Sequence, residues 1–315
     1  MGAFLFLLGE FLIKRSSSLF TRIVYFVGST WFGIILTVIT FLLLSEIPRL
    51  FLKANSSVIT LIALSISGIV CIYSLFNTLR APVLKKVQIE YKNLPSQLDG
   101  FKIVHLSDLH LSSAKSLKWL DEIVERVNTL SPNLICITGD LIDADILKSE
   151  EFHNILKNLK ASHGVFAVSG NHEIYAGMGI FQKVAEQSGI RILKNETVLL
   201  SDHLEIAGID WGFEDTEKIF PQKKRKFRIF LSHSPEIFEK VYSLIDLQLS
   251  GHTHAGQIFP MEVLIGFFSR YPYGLYKKED TYIYTTSGTG LWGPPMRFFS
   301  KCEVVEIVLK EKNFI

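Results

Sequence analysis

Five short polar motifs in the C-terminal two thirds of this 315-residue chain constrain its fold more than any other feature. Four of them end, or nearly end, a run of apolar β-forming residues, as Leu134–Thr138 does before Gly139. Polar side chains at successive strand ends converge on one rim of a sheet, so one shared site is expected. In chain order the motifs are Asp108-Leu109-His110, Gly139-Asp140, Gly170-Asn171-His172-Glu173, Ser232-His233 and Gly251-His252-Thr253-His254.

The pattern between the motifs predicts the fold class. Apolar strands alternate with amphipathic helices up to Ile192, and shorter strands follow. This order favours an α/β (α+β) fold in which a two-layered β core is flanked by helices. The predicted helices are 116–130, 148–160, 178–188 and 236–243. The predicted strands are 101–108, 134–138, 165–169, 197–201, 204–209, 227–232, 246–249, 282–286 and 303–309.

The motif residues are suited to binding metal ions. Asp108 and His110 are two residues apart, so an extended segment presents both on one face. Asp140 has two carboxylate oxygens and can bridge two cations, while Asn171 offers a neutral carbonyl oxygen. Mixed nitrogen and oxygen ligands suit Mn²⁺, Fe or Zn²⁺ better than Ca²⁺. The remaining candidate ligands are His233, His252 and His254.

Taken together, the motifs resemble the signature of the calcineurin-like metallophosphoesterases. Flanking segments resemble the membrane-associated branch of that family that includes YkuE- and YaeI-like proteins. The resemblance covers about residues 83–310 and implies a metallophosphoesterase-type two-layered β-sandwich. The flanking segments are His233-Ser234-Pro235-Glu236, residues 251–258 and residues 287–297.

The resemblance also implies a role for each motif residue. One divalent metal ion would be bound by Asp108, His110, Asp140 and His254. A second would be bound by Asp140, Asn171, His233 and His252, with Mn²⁺ expected first and Fe or Zn²⁺ as alternatives. A metal-activated hydroxide would attack phosphorus in line.

Three further positions take their roles from the same resemblance. His172 would be catalytic, stabilising the phosphoryl oxygens or protonating the leaving oxygen. Asp143 and Glu173 would orient the ligands through hydrogen bonds. Ala255 departs from the family pattern, in which a second glycine often follows the His-x-His pair, so the geometry of this loop is expected to differ slightly.

The N-terminal quarter predicts a membrane anchor. Segments of about 23–45 and 56–77 carry no charge and exceed the ~20 residues that span a bilayer as a helix. Segment 3–13 is shorter and contains Glu10, so it fits an interfacial helix or half of a truncated span. We expect residues 1–80 to form the anchor and 81–315 the catalytic domain.

Basic residues in the flanking loops indicate the orientation of this multi-pass protein in the cell membrane. Six lie on the side of the chain termini and two in the hairpin, which favours a cytoplasmic catalytic domain over an extracytoplasmic one. The six are Lys14, Arg15, Arg22, Arg80, Lys85 and Lys86, and the two are Arg49 and Lys53.

Two further segments bear on the substrate. The aromatic and basic stretch 267–278 predicts a substrate wall or membrane-facing lip, with Arg270 or Arg297 meeting a phosphate; ordinary packing of a long loop is the alternative. The cluster 223–226 fits either a site for phosphate or lipid headgroups or a solvated loop. The net charge of +2 and the absence of a basic domain make nucleic acid an unexpected partner.

The leading hypothesis is therefore a membrane-anchored, dinuclear-metal phosphoesterase. Its substrate would be a phosphate ester or pyrophosphate, lipid-linked or envelope-associated, and its partners the bilayer and an amphiphilic phosphate. A narrower version is a UDP-2,3-diacylglucosamine pyrophosphatase of lipid A synthesis, which relatives in this branch suggest. The alternatives are a general phosphodiesterase and, outside enzymes, a metal-binding membrane sensor or scaffold.

Overall fold

Two six-stranded sheets form the centre of the computed structural model, which describes residues 2–15, 18–52, 55–112, 115–143, 149–213, 215–220 and 226–312. The strands are β1 Val83–Tyr91, β2 Lys102–Leu106, β3 Leu134–Thr138, β4 Val165–Val168, β5 Arg191–Ile192, β6 Glu196–Leu199, β7 Leu204–Gly208, β8 Phe227–Leu231, β9 Leu247–Ser250, β10 Gly274–Lys278, β11 Thr281–Thr285 and β12 Glu303–Glu311. The α-helices are α1 Gly2–Arg15, α2 Leu19–Leu44, α3 Glu46–Phe51, α4 Ser56–Thr78, α5 Leu117–Thr129, α6 Ser149–Leu156, α7 Asn171–Ala176, α8 Met178–Gln187, α9 Phe238–Val241 and α10 Met261–Phe268.

The strand order brings the polar motifs to one rim. The first sheet runs β1-β12-β2-β3-β4-β5, with β2 to β5 parallel. The second runs β10-β11-β9-β8-β7-β6, with β7, β8, β9 and β11 parallel. Because parallel strands end on the same side, the residues that follow β2, β3 and β4 meet those that follow β8 and β9.

The core lies between the two sheets and confirms the predicted two-layered arrangement. Ile103, Leu134 and Val168 of the first sheet share one buried cluster with Ile229 and Leu247 of the second. On the outer face of the first sheet, α5, α6 and α8 contribute to a further apolar cluster, and α9 does the same for the second sheet. The fold is thus a β-sandwich with a helical layer on each face.

Two N-terminal helical segments, 19–51 and 56–78, are long and apolar enough to cross a membrane, as the sequence predicted. The first begins at Leu19 rather than near 23 because the Ser18 hydroxyl accepts a hydrogen bond from the Thr21 amide and caps it. Helix α1, which contains the short apolar segment 3–13, packs against α2. A Cβ atom added at Gly28 would lie 2.6 Å from the Leu5 carbonyl carbon, so the glycine permits this close crossing.

The helical hairpin also packs directly on the sandwich. The Asn77 side-chain amide donates to the carbonyls of Arg297 and Ser300, each at 3.0 Å. The ring of Phe41 stacks on that of Phe259, with centroids 5.1 Å apart. These contacts attach α2 to the segment before α10 and α4 to the segment before β12.

The alternative interpretation of the stretch 267–278, ordinary packing of a long loop, was wrong in part. The stretch is not one long loop, because α10 ends at Phe268 and β10 occupies Gly274–Lys278. The short elements β5 and α7 were also missed. The basic cluster lies mostly outside the described residues, since positions 221–225 are not among them.

Candidate metal centre

The predicted ligands occupy strained turns that immediately follow the strands. Non-glycine residues rarely adopt positive φ angles, and such strain concentrates at functional sites. Five of the predicted ligands have positive φ: Asp108, His110, Asp140, His252 and His254, with φ between 49° and 73°. The chain therefore turns sharply at the point where each motif leaves its strand, and the side chains are directed to the shared rim.

Gly139 shows why a glycine is needed beside these ligands. Its φ is +81°, and an added Cβ atom would lie 2.6 Å from Nδ1 of His233. Any larger residue would therefore push β3 and β8 apart at this rim. The glycine lets Asp140, which follows β3, approach His233, which follows β8.

Asp108, His110 and His254 form one group of potential ligand atoms. Nε2 of His254 lies 3.2 Å from Oδ1 of Asp108 and 3.2 Å from Nε2 of His110. All three side chains are predicted ligands of the first metal ion. The structure thus brings together residues that are up to 146 positions apart in the chain.

Asp140 and His233 form a second group of potential ligand atoms that also includes Asp108, and His252 lies beside it. Nε2 of His233 lies 3.2 Å from Oδ2 of Asp140 and 3.2 Å from Nδ1 of His252. The same Asp140 oxygen lies 3.8 Å from Nε2 of His110, so this carboxylate stands between the two groups. Asp140 therefore occupies the place expected of a bridging ligand.

The side chains present fit two divalent cations. The Nε2 atoms of His110 and His254 point at each other, an arrangement that a shared cation would satisfy. Nδ1 of His233 lies 2.7 Å from the Thr138 carbonyl, which directs Nε2 to the site. Oδ1 of Asn171, another predicted ligand, is buried without a hydrogen-bond partner in the described structure. A buried oxygen that lacks a hydrogen-bond partner and lies among imidazole nitrogens and carboxylate oxygens is suited to binding a cation.

Asp143 and Glu173 connect the ligands to the scaffold, as the resemblance implied. Oδ1 of Asp143 lies 2.8 Å from Nδ1 of both His110 and His172. The buried Glu173 carboxylate accepts hydrogen bonds from the amides of Asp140, Ile142 and Gly170, at 2.9, 3.0 and 2.6 Å. Asp143 thus orients two imidazoles, and Glu173 ties the ends of β3 and β4 together.

Burial and neighbouring charges shift the ionisation of these groups. Burial opposes protonation of His233, but the carboxylates of Asp140 and Asp108 outweigh it and raise its pKa to about 10. Burial, reinforced by the Asp140 carboxylate, raises the pKa of Glu173 to about 7. The rim therefore concentrates negative charge that a bound cation would neutralise.

The two arginines proposed as substrate contacts are placed differently from the prediction. Arg297 is 1% exposed, and its guanidinium donates to the carbonyls of Ser287 and His254 while one nitrogen lies 3.3 Å from Nδ1 of His254. It therefore contacts the predicted ligand His254 from the protein interior instead of facing an open substrate site. Arg270 is exposed and pairs with Glu239 at 3.1 Å, outside both ligand groups.

Two tryptophans that the sequence did not single out lie against the centre. The ring centroid of Trp292 is 5.5 Å from that of His172, and Trp211 is 4.8 Å from His252. Trp292 lies inside the stretch 287–297, which resembles the family. That resemblance was the one indication in the sequence that Trp292 lies near the site. Nothing in the sequence distinguished Trp211 from a core aromatic.

The family is decided by comparison with known proteins. Residues 101–256 match the family model described as calcineurin-like phosphoesterase. An uncharacterized metallophosphoesterase of Helicobacter pylori is 37% identical over 250 residues, which are 76% of this chain and 66% of that protein. Bacillus subtilis YkuE, an uncharacterized metallophosphoesterase, is 34% identical over 239 residues, which are 70% of this chain and 82% of that protein. This chain belongs to the calcineurin-like metallophosphoesterase family.

The family also has members with transmembrane segments in animals. A zebrafish protein named as a transmembrane protein with metallophosphoesterase domain is 32% identical over 274 residues, 80% of this chain and 63% of that protein. About a third of the Helicobacter and zebrafish proteins therefore lies outside the match. The relatives confirm the predicted family and its membrane-associated, YkuE-containing branch.

Proposed function

We propose that the protein is a membrane-anchored, dinuclear-metal phosphoesterase that hydrolyses a phosphate ester or pyrophosphate. The observation that supports this most is the position of Asp140 between two groups of buried ligand atoms. One group contains Asp108 and His110, and the other contains His233. Two sets that share a carboxylate are the arrangement that a two-metal hydrolase needs.

The chemistry divides between the cations and the chain. Two bound divalent ions would supply an activated water nucleophile and neutralise charge on the phosphoryl oxygens. Asp108, His110, Asp140 and His254 would hold one ion. The other would be held by Asp140, Asn171, His233 and His252. Mn²⁺ is the first metal to test, with Fe and Zn²⁺ next.

His172 is the residue we assign to proton transfer. Its ring lies beside that of His110, with centroids 4.6 Å apart, yet its Nδ1 is held by Asp143. Its backbone amide donates to Oδ1 of Asp140 at 2.9 Å, which fixes α7 against the centre. With Nδ1 fixed in this way, Nε2 is the atom that would contact a phosphoryl oxygen or protonate the leaving oxygen.

We further propose that residues 1–80 anchor residues 81–315 to the cell membrane with the catalytic domain on the cytoplasmic side. The two long apolar helices and the transmembrane relatives support a membrane location. The distribution of lysine and arginine supports the orientation. An anchored site meets membrane-borne substrates first, so lipid-linked or envelope-associated phosphates are the proposed class.

Hydrolysis by the purified full-length protein tests this proposal. Protein loaded with Mn²⁺ should release p-nitrophenol from p-nitrophenyl phosphate or its bis ester, and phosphate or nucleotide from a lipid extract. The His172→Ala variant should bind metal normally and lose most of this turnover. A metal-loaded protein that is inert on every phosphoester would favour a sensor or scaffold. Activity restricted to UDP-2,3-diacylglucosamine would support the narrower pyrophosphatase, and activity restricted to small diesters a general phosphodiesterase.

A further inference from the structure

A cavity of about 280 Å³ separates the N-terminal helices from the metal centre. Its inner wall contains His172 and Asp143, and its outer wall contains Ile13 of α1 and Phe26 of α2. Trp292 also lines it. The steps assigned to the metal ligands make no use of this space, although it borders the proposed proton donor directly.

The outer wall is held in place by defined contacts. The ring centroid of Phe6 in α1 lies 6.4 Å from that of Trp292, and the Trp292 centroid lies 5.5 Å from that of His172. A Cβ atom added at Gly9 would lie 2.6 Å from Cα of Tyr25, so α1 and α2 cross with their backbones close together. The cavity is thus bounded by packed elements, and α1 is connected to His172 through one aromatic ring.

The same two helices have apolar faces on the outside. Phe4 and Leu7 of α1 are 68% and 66% exposed, and Phe20 of α2 is 69% exposed. In a chain whose α2 continues as a membrane span, such side chains face lipid. The helices that enclose the cavity therefore also contact the apolar part of the bilayer.

The cavity has a polar part beside the centre and an apolar part beside the helices. Lys115 and Ser112 line it together with His172 and Asp143. Ile13, Phe26, Leu291 and Pro295 supply apolar surface. Glu10 of α1 also lines it, so the anionic group of a ligand is expected near Lys115 and the metal ions, away from α1.

We propose that this cavity binds the proximal alkyl chain of a phosphate amphiphile, whose phosphate lies at the metal centre beside Lys115. This inference rests on the proposed phosphoesterase function and adds the site and the substrate class. The volume of about 280 Å³ is just below the roughly 300–1,000 Å³ of small-molecule sites. It therefore accommodates the first part of one chain, and the remainder leaves through the open side of this partly open cavity toward the lipid beside α1 and α2.

The size preference of the full-length protein in lipid nanodiscs tests the proposal. Phosphate release from methyl, butyl and hexyl phosphate is measured below their critical micelle concentrations, and the hexyl-to-methyl ratio of kcat/KM is calculated. In the native protein this ratio should exceed ten, since each buried methylene contributes about fourfold and two buried methylenes already give about sixteenfold. Ile13→Phe should lower the ratio at least fivefold, because it fills the cavity wall. Leu7→Phe, on the exposed face of α1, should leave it unchanged.

Photolabelling provides a readout that does not need turnover. A hexyl phosphonate with a diazirine in its chain should label residues 10–13, 25–26 or 291–295, and excess hexyl phosphate should suppress the label. If Ile13→Phe fails to fold, Ile13→Ala takes its place as the test variant. Ile13→Ala only enlarges the cavity and should retain the labelling. Lys115→Met should weaken the binding of butyl and hexyl phosphonate by similar factors, because Lys115 contacts the phosphonate group that both molecules share.

The outcomes separate the two proposals. Equal ratios in native protein and folded Ile13→Phe, or labelling that hexyl phosphate does not suppress, would overturn the cavity assignment while leaving the phosphoesterase intact. Absence of hydrolysis of every ester, together with saturable labelling of the cavity, would overturn the proposed activity and retain a lipid-phosphate binding site. A ratio near one in the native protein would also contradict the chain-binding role.

Discussion

Asp143 holds His172 through a 2.8 Å contact between Oδ1 and Nδ1, and the same oxygen lies 2.8 Å from Nδ1 of His110. One carboxylate therefore orients a predicted metal ligand and the predicted proton donor together. Asp143→Asn should lower kcat about 10- to 100-fold, the usual effect of removing a partner that orients a ligand. Steady-state kinetics with metal analysis should show nearly normal metal content. Asp202→Asn, an exposed change, is the control; equal activity of both variants would contradict the role.

Ala255 is a site where a glycine should stabilise the protein. Its φ of 51° and ψ of 32° are left-handed, a conformation that is disfavoured by about 1–2 kcal/mol for residues other than glycine. Part of this gain is lost because glycine is more flexible in the unfolded chain. Ala255→Gly should therefore raise the free energy of unfolding by up to about 1 kcal/mol and the Tm by a few degrees. Ala185→Gly inside α8 should lower the Tm, and a lower Tm for both variants would disprove the strain argument.

His105 should make the stability depend on pH. Burial lowers its pKa to about 3 from the ordinary 6.5, and its Nε2 lies 2.7 Å from the Thr138 hydroxyl. Between these values the unfolded chain binds a proton that the folded chain does not, so stability falls as the pH decreases from about 6.5. The contribution is at most about 1.4 kcal/mol per pH unit. Thermal unfolding of metal-free His105→Phe between pH 6.5 and 4.5 should show a shallower slope than the native protein. A slope for His105→Phe equal to that of the native protein would contradict this pH dependence.

The exposed aromatic residues of α10 provide a test of the predicted membrane-facing lip. Phe267 and Phe268 are 84% and 73% exposed, whereas Tyr271, which was grouped with them in the sequence, is buried against Phe238. Alanine at both phenylalanines should lower kcat/KM for an amphiphilic phosphate severalfold more than for a small soluble diester. Leu199→Ala, an exposed apolar change on β6, is the control. A parallel loss on both substrates would remove α10 from substrate delivery.

The sequence could predict which residues meet at the rim because their positions follow a local rule. An apolar strand that ends in a polar motif places Asp108 and Asp140 just beyond a buried strand. The direction of these side chains depends on left-handed turns, which differ from the extended segment expected for Asp108 and His110. The parallel order of β2, β3 and β4 then brings the motifs together.

Features that depend on distant contacts could not be predicted in this way. Arg297 was predicted to meet a phosphate of the substrate, and nothing in the sequence indicated its burial, since arginines are seldom fully buried. Its burial depends on carbonyls that only the folded turns around Ser287 and His254 provide. The packing of α1 against α2, and hence the cavity beside His172, depends on glycine contacts across two helices. Strand β5 has two residues and carries too little pattern to be recognised.

The central claim is that two cations sharing Asp140 are required for phosphoester hydrolysis. Metal-free protein in nanodiscs is titrated with Mn²⁺ while bound metal and hydrolysis of p-nitrophenyl phosphate are measured on the same samples. Activity should rise with occupancy and reach a plateau at two ions per chain. Asp140→Asn should bind metal poorly and remain inactive. Full activity in the metal-free protein, or normal turnover by Asp140→Asn, would contradict the account.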